Sequence, residues 1–267
     1  MKKTVLITGS TDGIGKLLAF KLAKEGHKVF VHGRNPQKVN AVIDELKAEV
    51  QNSNVQGFVS DFSDLQDVSK MADEINEQIP QLDVLINNAG VFKSPNETNH
   101  QGIDIRLVVN YLAPYLLTNL IFPILQKGEK SRIINLSSAA QSPVALRALS
   151  GEQKLSVQEA YAQSKLALTM WSSYLAAGQD ITVIPVNPGS LLNTKMVQEA
   201  YGQYWSSAEK GSDTLYDLAI ADEYHSMSGK YFDNDKGKFA PAHSDAYSET
   251  KIAELINITK KVLHQYL

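Results

Sequence analysis

The sequence predicts one α/β domain over residues 1–267, an open, doubly wound and mostly parallel sheet of seven strands with helices on both faces. Three observations predict it. Short β-branched runs alternate with longer amphipathic stretches, the rhythm of βαβ units joined by right-handed crossovers. The runs are apolar at nearly every position, as strands are when helices cover both faces. No Pro/Gly/Ser-rich linker, internal repeat or low-complexity tract divides the chain.

The elements follow in order. A first strand, Thr4–Thr8, runs into a glycine-rich turn and the helix Ile14–Glu25. The strand His27–His32 precedes a helix Pro36–Val50, whose proline suits a first helical position. Val55–Ser60 and Leu65–Gln78 form the next strand–helix pair, and Val84–Asn87 with Gly102–Leu125 the fourth. Arg132–Ser137 and Ser156–Ala177 follow, then Thr182–Asn187 and Ser212–Ala221, then Gly229–Phe232 and a last helix, Ser244–Leu263. Two stretches stay irregular, Gln141–Leu155 and Asn193–Gly211, the second within a substrate loop over about 190–211. Both follow carboxyl ends of strands, where open α/β sheets bind ligands.

Composition narrows the function classes. The residues are 43% hydrophobic and 21% charged, with a net charge of −3, so no basic face offers itself to nucleic acid or an anionic membrane. There are no cysteines, which excludes disulfides, thiolate metal sites and cysteine nucleophiles and suits a reducing cytoplasm. The apolar run after Met1-Lys2-Lys3 is too short for a signal peptide, and no stretch approaches the ~20 residues of a membrane span. Asn96-Glu97-Thr98 and Asn257-Ile258-Thr259 then read as chance sequons. Six scattered histidines lack metal-ligand spacing, so no metal site is expected. A nucleophile elbow and a P-loop are absent too.

The turn Thr8-Gly9-Ser10-Thr11-Asp12-Gly13-Ile14-Gly15 lies between the first strand and first helix. Glycines there let the backbone approach a pyrophosphate, and the helix N-terminus adds partial positive charge. The turn therefore marks the dinucleotide end of a Rossmann-type domain, although its spacing is not Gly-x-Gly-x-x-Gly. The second strand ends His32-Gly33-Arg34, with glycine where an acid would bind the ribose of NAD and a cation beside it. An arginine there can grip a 2′-phosphate, which favours NADP(H) over NAD(H); a plain surface arginine is the other reading, and Asp12 adds opposing charge. Tyr161 and Lys165 lie four apart on a helix, hence on one face, where an ammonium can favour the phenolate of a general acid/base.

These motifs together resemble the short-chain dehydrogenase/reductase family, classical type. The likeness rests on Thr8-Gly9-x-x-x-Gly13-x-Gly15, Asn87-Asn88-Ala89-Gly90, Asn110, Ser138, Tyr161-x-x-x-Lys165 and Pro188-Gly189, in family order along nearly the whole chain. It leans toward the retinol dehydrogenase-like and carbonyl reductase-like group, through Ser228-Gly229-Lys230-Tyr231-Phe232 and the long insert before Tyr161. The N-terminal membrane anchor of many retinol dehydrogenases is missing here, so a soluble relative is expected.

The resemblance implies roles. Tyr161 would be the general acid/base and Ser138 would polarise the substrate oxygen. Lys165 would lower the tyrosine pKa and bind the nicotinamide ribose, and Asn110 would support a water-linked proton path. Ser137, one residue earlier on an alternating strand, would point the other way. Cofactor contacts are implied for Gly9, Ser10, Thr11, Gly13, Ile14, Gly15, Arg34, Asp61, Phe62, Asn87, Ala89, Gly90, Tyr161, Lys165, Pro188, Gly189 and Thr194. Asp61 would meet the adenine, with Phe62 flanking it. Thr194 comes one residue later than the usual carboxamide contact, so a backbone group of Leu191 or Leu192 is the alternative.

Met196, Tyr201, Tyr204 and Trp205 in the second irregular stretch would either line an apolar substrate site or simply pack a lid onto the core. The insert Gln141–Leu155 would shape the pocket entrance. In some relatives such an insert accompanies a monomer, and an oligomer is equally open. Two functions remain. One is an enzyme passing hydride between NADP(H) and a small-molecule alcohol or carbonyl. The other is a nucleotide-sensing binding protein without turnover, which retention of Asn110, Ser138, Tyr161 and Lys165 argues against.

Overall fold

The computed structural model describes residues 2–50 and 54–267, the side chain of Tyr201 excepted. Three βα units come first: β1 (Thr4–Ile7), α1 (Gly13–Lys24), β2 (Lys28–Gly33), α2 (Pro36–Val50), β3 (Val55–Val59) and α3 (Leu65–Gln78). The chain then returns past β1 to β4 (Val84–Asn87) and continues through α4 (Ile105–Leu107), a π-helical turn Val108–Leu112, α5 (Ala113–Leu120), α6 (Phe122–Gln126) and β5 (Arg132–Leu136). It ends with α7 (Leu146–Leu149), α8 (Val157–Gly178), β6 (Thr182–Asn187), α9 (Lys195–Tyr201), α10 (Ala208–Ile220), β7 (Phe232–Asp233), β8 (Lys238–Phe239) and α11 (Glu249–Leu263).

The strand order is β3-β2-β1-β4-β5-β6-β7-β8, parallel throughout except for β7 with β8. β1 and β4 are neighbours although five elements separate them in the chain, so the order reverses there and opens a crevice at their carboxyl ends. Alternate strand residues face opposite layers, and both faces are apolar. Leu6, Leu85, Ile133 and Val183 pack toward α3, α5, α8 and α11, whereas Val5, Ile86, Ile134 and Ile184 pack toward α1, α2 and α10.

Four expectations change. The sheet has eight strands, not seven, because Phe232–Asp233 folds back on Lys238–Phe239 through a tight turn containing Gly237 (φ 63°). Strands that short carry no periodicity to read. The helix expected over Gly102–Leu125 is broken. Pro114 and Pro123 start new segments, since a proline has no N–H for the preceding turn. The last helix begins at Glu249, capped by Ser248, after a 3₁₀ turn over Ser244–Tyr247. Both irregular stretches hold helix: α7 in the insert, α9 and the start of α10 in the lid.

Candidate active site

A cleft of about 650 Å³ lies at the sheet switch point and carries Gly9, Thr11, Gly13, Ile14 and Gly15 at one end and Tyr161 and Lys165 at the other. The glycine turn is held tightly. Gly9 has φ 63°, and a Cβ there would come within 2.7 Å of the Ala89 Cα. A Cβ on Gly15 would meet Asn88 Nδ2 at 2.5 Å and the Gly9 carbonyl at 2.7 Å. Asn88 Nδ2 donates to the carbonyls of Thr8 and Gly9, while the Asn88 and Ala89 N–H groups donate to Thr8 Oγ1. Asp12 caps α1, accepting the Gly13 N–H at 2.7 Å. This backbone cradle fits a pyrophosphate.

His32, unremarked in the sequence beyond ending its strand, braces the cradle from below. Its Nδ1 accepts the Gly9 N–H and its Nε2 donates to the Ser60 carbonyl, both at 3.0 Å. Burial lowers its pKa to about 4, so the ring is neutral and bridges three strand ends. Phe62 stacks on this ring at 4.4 Å and is itself buried, which leaves it little face for an adenine. Asp61 lines the cleft and accepts the Ser63 N–H. Arg34 and Lys38 both line the cleft, exposed, and their charged groups have no partner among the described residues. Lys38 stands one helical turn beyond Arg34 and went unread in the sequence. Gly33 is required, because its Cβ would lie 2.6 Å from Thr11 Cγ2.

Two expected cofactor residues turn their side chains elsewhere. Ser10 is buried, with its hydroxyl donating to the Ile7 carbonyl and accepting from the His32 N–H. Asn87 is buried under the sheet end, donating to Asn135 Oδ1 and Thr118 Oγ1. Their neighbours Thr11 and Asn88 face the cleft instead. Ala89, Gly90 and Pro188 line it, and Gly189 (φ 124°) turns the chain beside Pro188. Asp235, also missed, holds that turn through the Ser190 N–H and hydroxyl.

At the far end Lys165 is buried, and Nζ donates to the Leu136 carbonyl at 2.7 Å and sits 5.7 Å from the Tyr161 ring centre. Desolvation lowers its pKa to about 8. Phe92 meets the Tyr161 ring edge-on at 5.0 Å. Asn110 lies behind the cleft wall in the π-helical turn, its amide accepting from the Val91 N–H and donating to the Val91 carbonyl and Ser164 Oγ. A regular helix would give the Asn110 carbonyl the N–H of residue 114, which is Pro114 and has none. Gly90 separates Asn110 from Lys165, for its Cβ would be 3.3 Å from Oδ1 and 3.6 Å from Nζ.

The two serines at the end of β5 differ sharply. Ser137 is buried, its hydroxyl hydrogen-bonded to the Lys165 carbonyl and to the Thr169 hydroxyl. Ser138 is half-buried and its Oγ accepts the Ala140 N–H, but it is Ser137 that counts among the residues lining the cleft. In the lid, Thr194 caps α9 and faces Gly13, at the pyrophosphate end of the cleft. Leu191 takes a left-handed φ of 49°. Met196 reaches Gly90, but Tyr204 and Trp205 are 53% and 73% exposed and neither line the cleft nor pack on the core. The Tyr201 side chain lies outside the described residues. Among these residues no cluster of metal-ligating side chains occurs.

A glycine cradle and a Tyr–Lys helix pair sharing one crevice define a dinucleotide-dependent oxidoreductase. The profile of the family described as short chain dehydrogenase matches residues 3–205, and the chain belongs to that family. Retinol dehydrogenase 13 of Homo sapiens is 34% identical over 262 residues, covering 90% of this chain and 78% of the relative. Polyprenol dehydrogenase of Homo sapiens is 29% identical over 256 residues, covering 88% and 77%. Among solved structures, an uncharacterized protein from Mycobacterium paratuberculosis superposes with a TM-score of 0.78 at 26% identity, covering 98% of this chain and 93% of that one. A short chain dehydrogenase from Escherichia coli CFT073 complexed with NADPH gives 0.71 at 27% identity, covering 87% and 96%.

Proposed function

We propose that the protein is an NADP(H)-dependent oxidoreductase of the cytoplasm that interconverts an apolar or aromatic alcohol and its carbonyl compound. The observation that carries the reading is Tyr161 and the buried Lys165 ammonium lining one cleft with the glycine cradle. Bound NADPH supplies the hydride. Gly9, Gly13 and Gly15 admit its pyrophosphate to the α1 N-terminus, and Arg34 with Lys38 receives the 2′-phosphate. Ser138 donates to the substrate oxygen, and Tyr161 gives that oxygen its proton. Lys165 holds the tyrosine's proton affinity down, and Asn110 supports a water-linked path for reprotonation. Val91, Phe92, Val109 and Met196 give the far end an apolar lining, which suits a hydrophobic substrate. Two relatives bear the names of retinol and polyprenol dehydrogenases, which agrees with that class.

The test is a panel of aldehydes, ketones and quinones with NADPH or NADH, read by loss of reduced-nicotinamide absorbance. Turnover should be faster with NADPH and with apolar carbonyls. Tyr161→Phe should lower kcat about 10²–10⁴-fold and leave the NADPH Kd nearly unchanged. Tight NADPH binding without turnover of any compound would favour the nucleotide sensor.

A further inference from the structure

The proposed donor, Ser138, lies two residues beyond the end of β5, where the sheet ladder no longer fixes the backbone. Its main-chain carbonyl instead receives two side-chain hydrogen bonds. Tyr231 Oη donates to it at 3.0 Å and Gln141 Nε2 at 2.9 Å. The two donors come from different parts of the chain. Tyr231 precedes β7, and Gln141 opens the insert ahead of α8. Gln141 is held in turn, because its Oε1 accepts the His243 N–H from the segment after β8. The Tyr231 backbone is tied to that segment through the Ala240 N–H.

We infer that Tyr231 and Gln141 are positioning residues that clamp the Ser138 carbonyl and so aim its hydroxyl at the substrate oxygen. This rests on the role proposed above for Ser138. A carbonyl bonded from two directions cannot rotate its peptide plane, so the following turn is fixed. The Ala140 N–H then stays on Ser138 Oγ at 3.1 Å, and the hydroxyl keeps its own proton for a second partner. Tyr231 is buried, and burial together with Asp233 and Asp235 raises its pKa, so its hydroxyl remains a donor at every working pH. The same contacts give the insert and the chain beyond β8 a part in catalysis that neither could have by touching substrate.

Tyr231→Phe removes the hydroxyl and keeps the ring. It should lower kcat/KM for the carbonyl about ten-fold, the loss of one hydrogen bond's worth of positioning, while the NADPH Kd and the melting temperature hold. Gln141→Leu should act in the same direction. In a Ser138→Ala background, Tyr231→Phe should cost nothing further, since its effect passes through the missing hydroxyl. Full activity of Tyr231→Phe, or an equal loss with and without Ser138, would overturn the inference. Should Ser138→Ala have no measurable rate, the wild-type-background comparison decides alone. Unchanged turnover of Ser138→Ala would instead remove the role of Ser138 itself, an outcome distinct from the other two.

Discussion

Lys165 carries its amine into a site that folding strips of water. Its pKa falls from 10.5 to about 8 because burial penalises the charged form. The sign for stability follows. Below pH 8 both states are protonated and the folded state bears the full penalty, roughly 3 kcal/mol for such a shift. Between pH 8 and 10.5 the unfolded chain holds the proton that the folded one has released, so stability rises with pH. Buried Tyr111, Tyr115 and Tyr231, all shifted upward, reverse the trend once unfolded tyrosines ionise near pH 10. The cofactor-free protein should therefore gain stability toward urea between pH 8 and pH 10. Lys165→Met should be inactive, at least as stable at pH 7, and should lose that gain; a wild-type profile with no rise would contradict a desolvated ammonium. The residue scale also shows what a motif can convey. The helical period puts Tyr161 and Lys165 on one face, so that pair was readable. The runs around Ser10 and Asn87 were readable as a turn and a strand end, but not the direction of each side chain. Only the packing of β1, β2, β4 and β5 decides that Thr11 and Asn88 face the cleft.

Among the elements, the β1–α1 turn depends on a neighbour distant in sequence. Asn88, just past β4, ties its amide to the Thr8 and Gly9 carbonyls, and Gly15 must lack a Cβ to pass beneath it. Gly15→Ala would push a methyl against Asn88 and the Gly9 carbonyl, of which only the first is a side chain. It should cost about 1–3 kcal/mol by overpacking and weaken NADPH binding at least ten-fold, measured by urea denaturation and by cofactor fluorescence. Asn88→Ala in the same chain should restore little, because the clash with the Gly9 backbone remains; full rescue would show that the turn is looser than drawn. The segment after β4 has a similar dependence. An apolar stretch over Gly102–Leu125 reads as one helix, yet Pro114 interrupts it and the chain answers with the π-helical turn that carries Asn110. Apolarity marked the stretch as buried, and the prolines held the information about its breaks. The lid shows the opposite limit. Its aromatic residues suggested a substrate wall, but composition does not say which side a loop presents, and Tyr204 and Trp205, between α9 and α10, are exposed.

For the molecule as a whole, the cleft joins the two halves of the sheet. The β1–β2–β3 side brings the glycine cradle and Arg34, and the β4–β5–β6 side brings Tyr161 and Lys165. The βα rhythm made this architecture legible from end to end, with the seventh strand read slightly early at Gly229–Phe232, while β8, two residues long, lay below what any periodicity can register. A ligand that spans both halves stabilises the fold by mass action. Free NADPH at a hundred times its Kd should add about 2.7 kcal/mol, a rise in melting temperature of about 5–10 °C for a chain of this size. NADH lacks the 2′-phosphate and leaves Arg34 and Lys38 without a partner, so at equal concentration it should raise the temperature less. Arg34→Ala separates this from a general electrostatic effect. Removing one charge-assisted hydrogen-bonding partner should weaken NADPH about 10–100-fold and leave NADH within a factor of about three, because no acid at Gly33 takes the ribose. The two cofactors would then give nearly the same thermal shift. An equal loss for both would mean that Arg34 serves the fold and not the phosphate, and the preference would have to come from Lys38 alone.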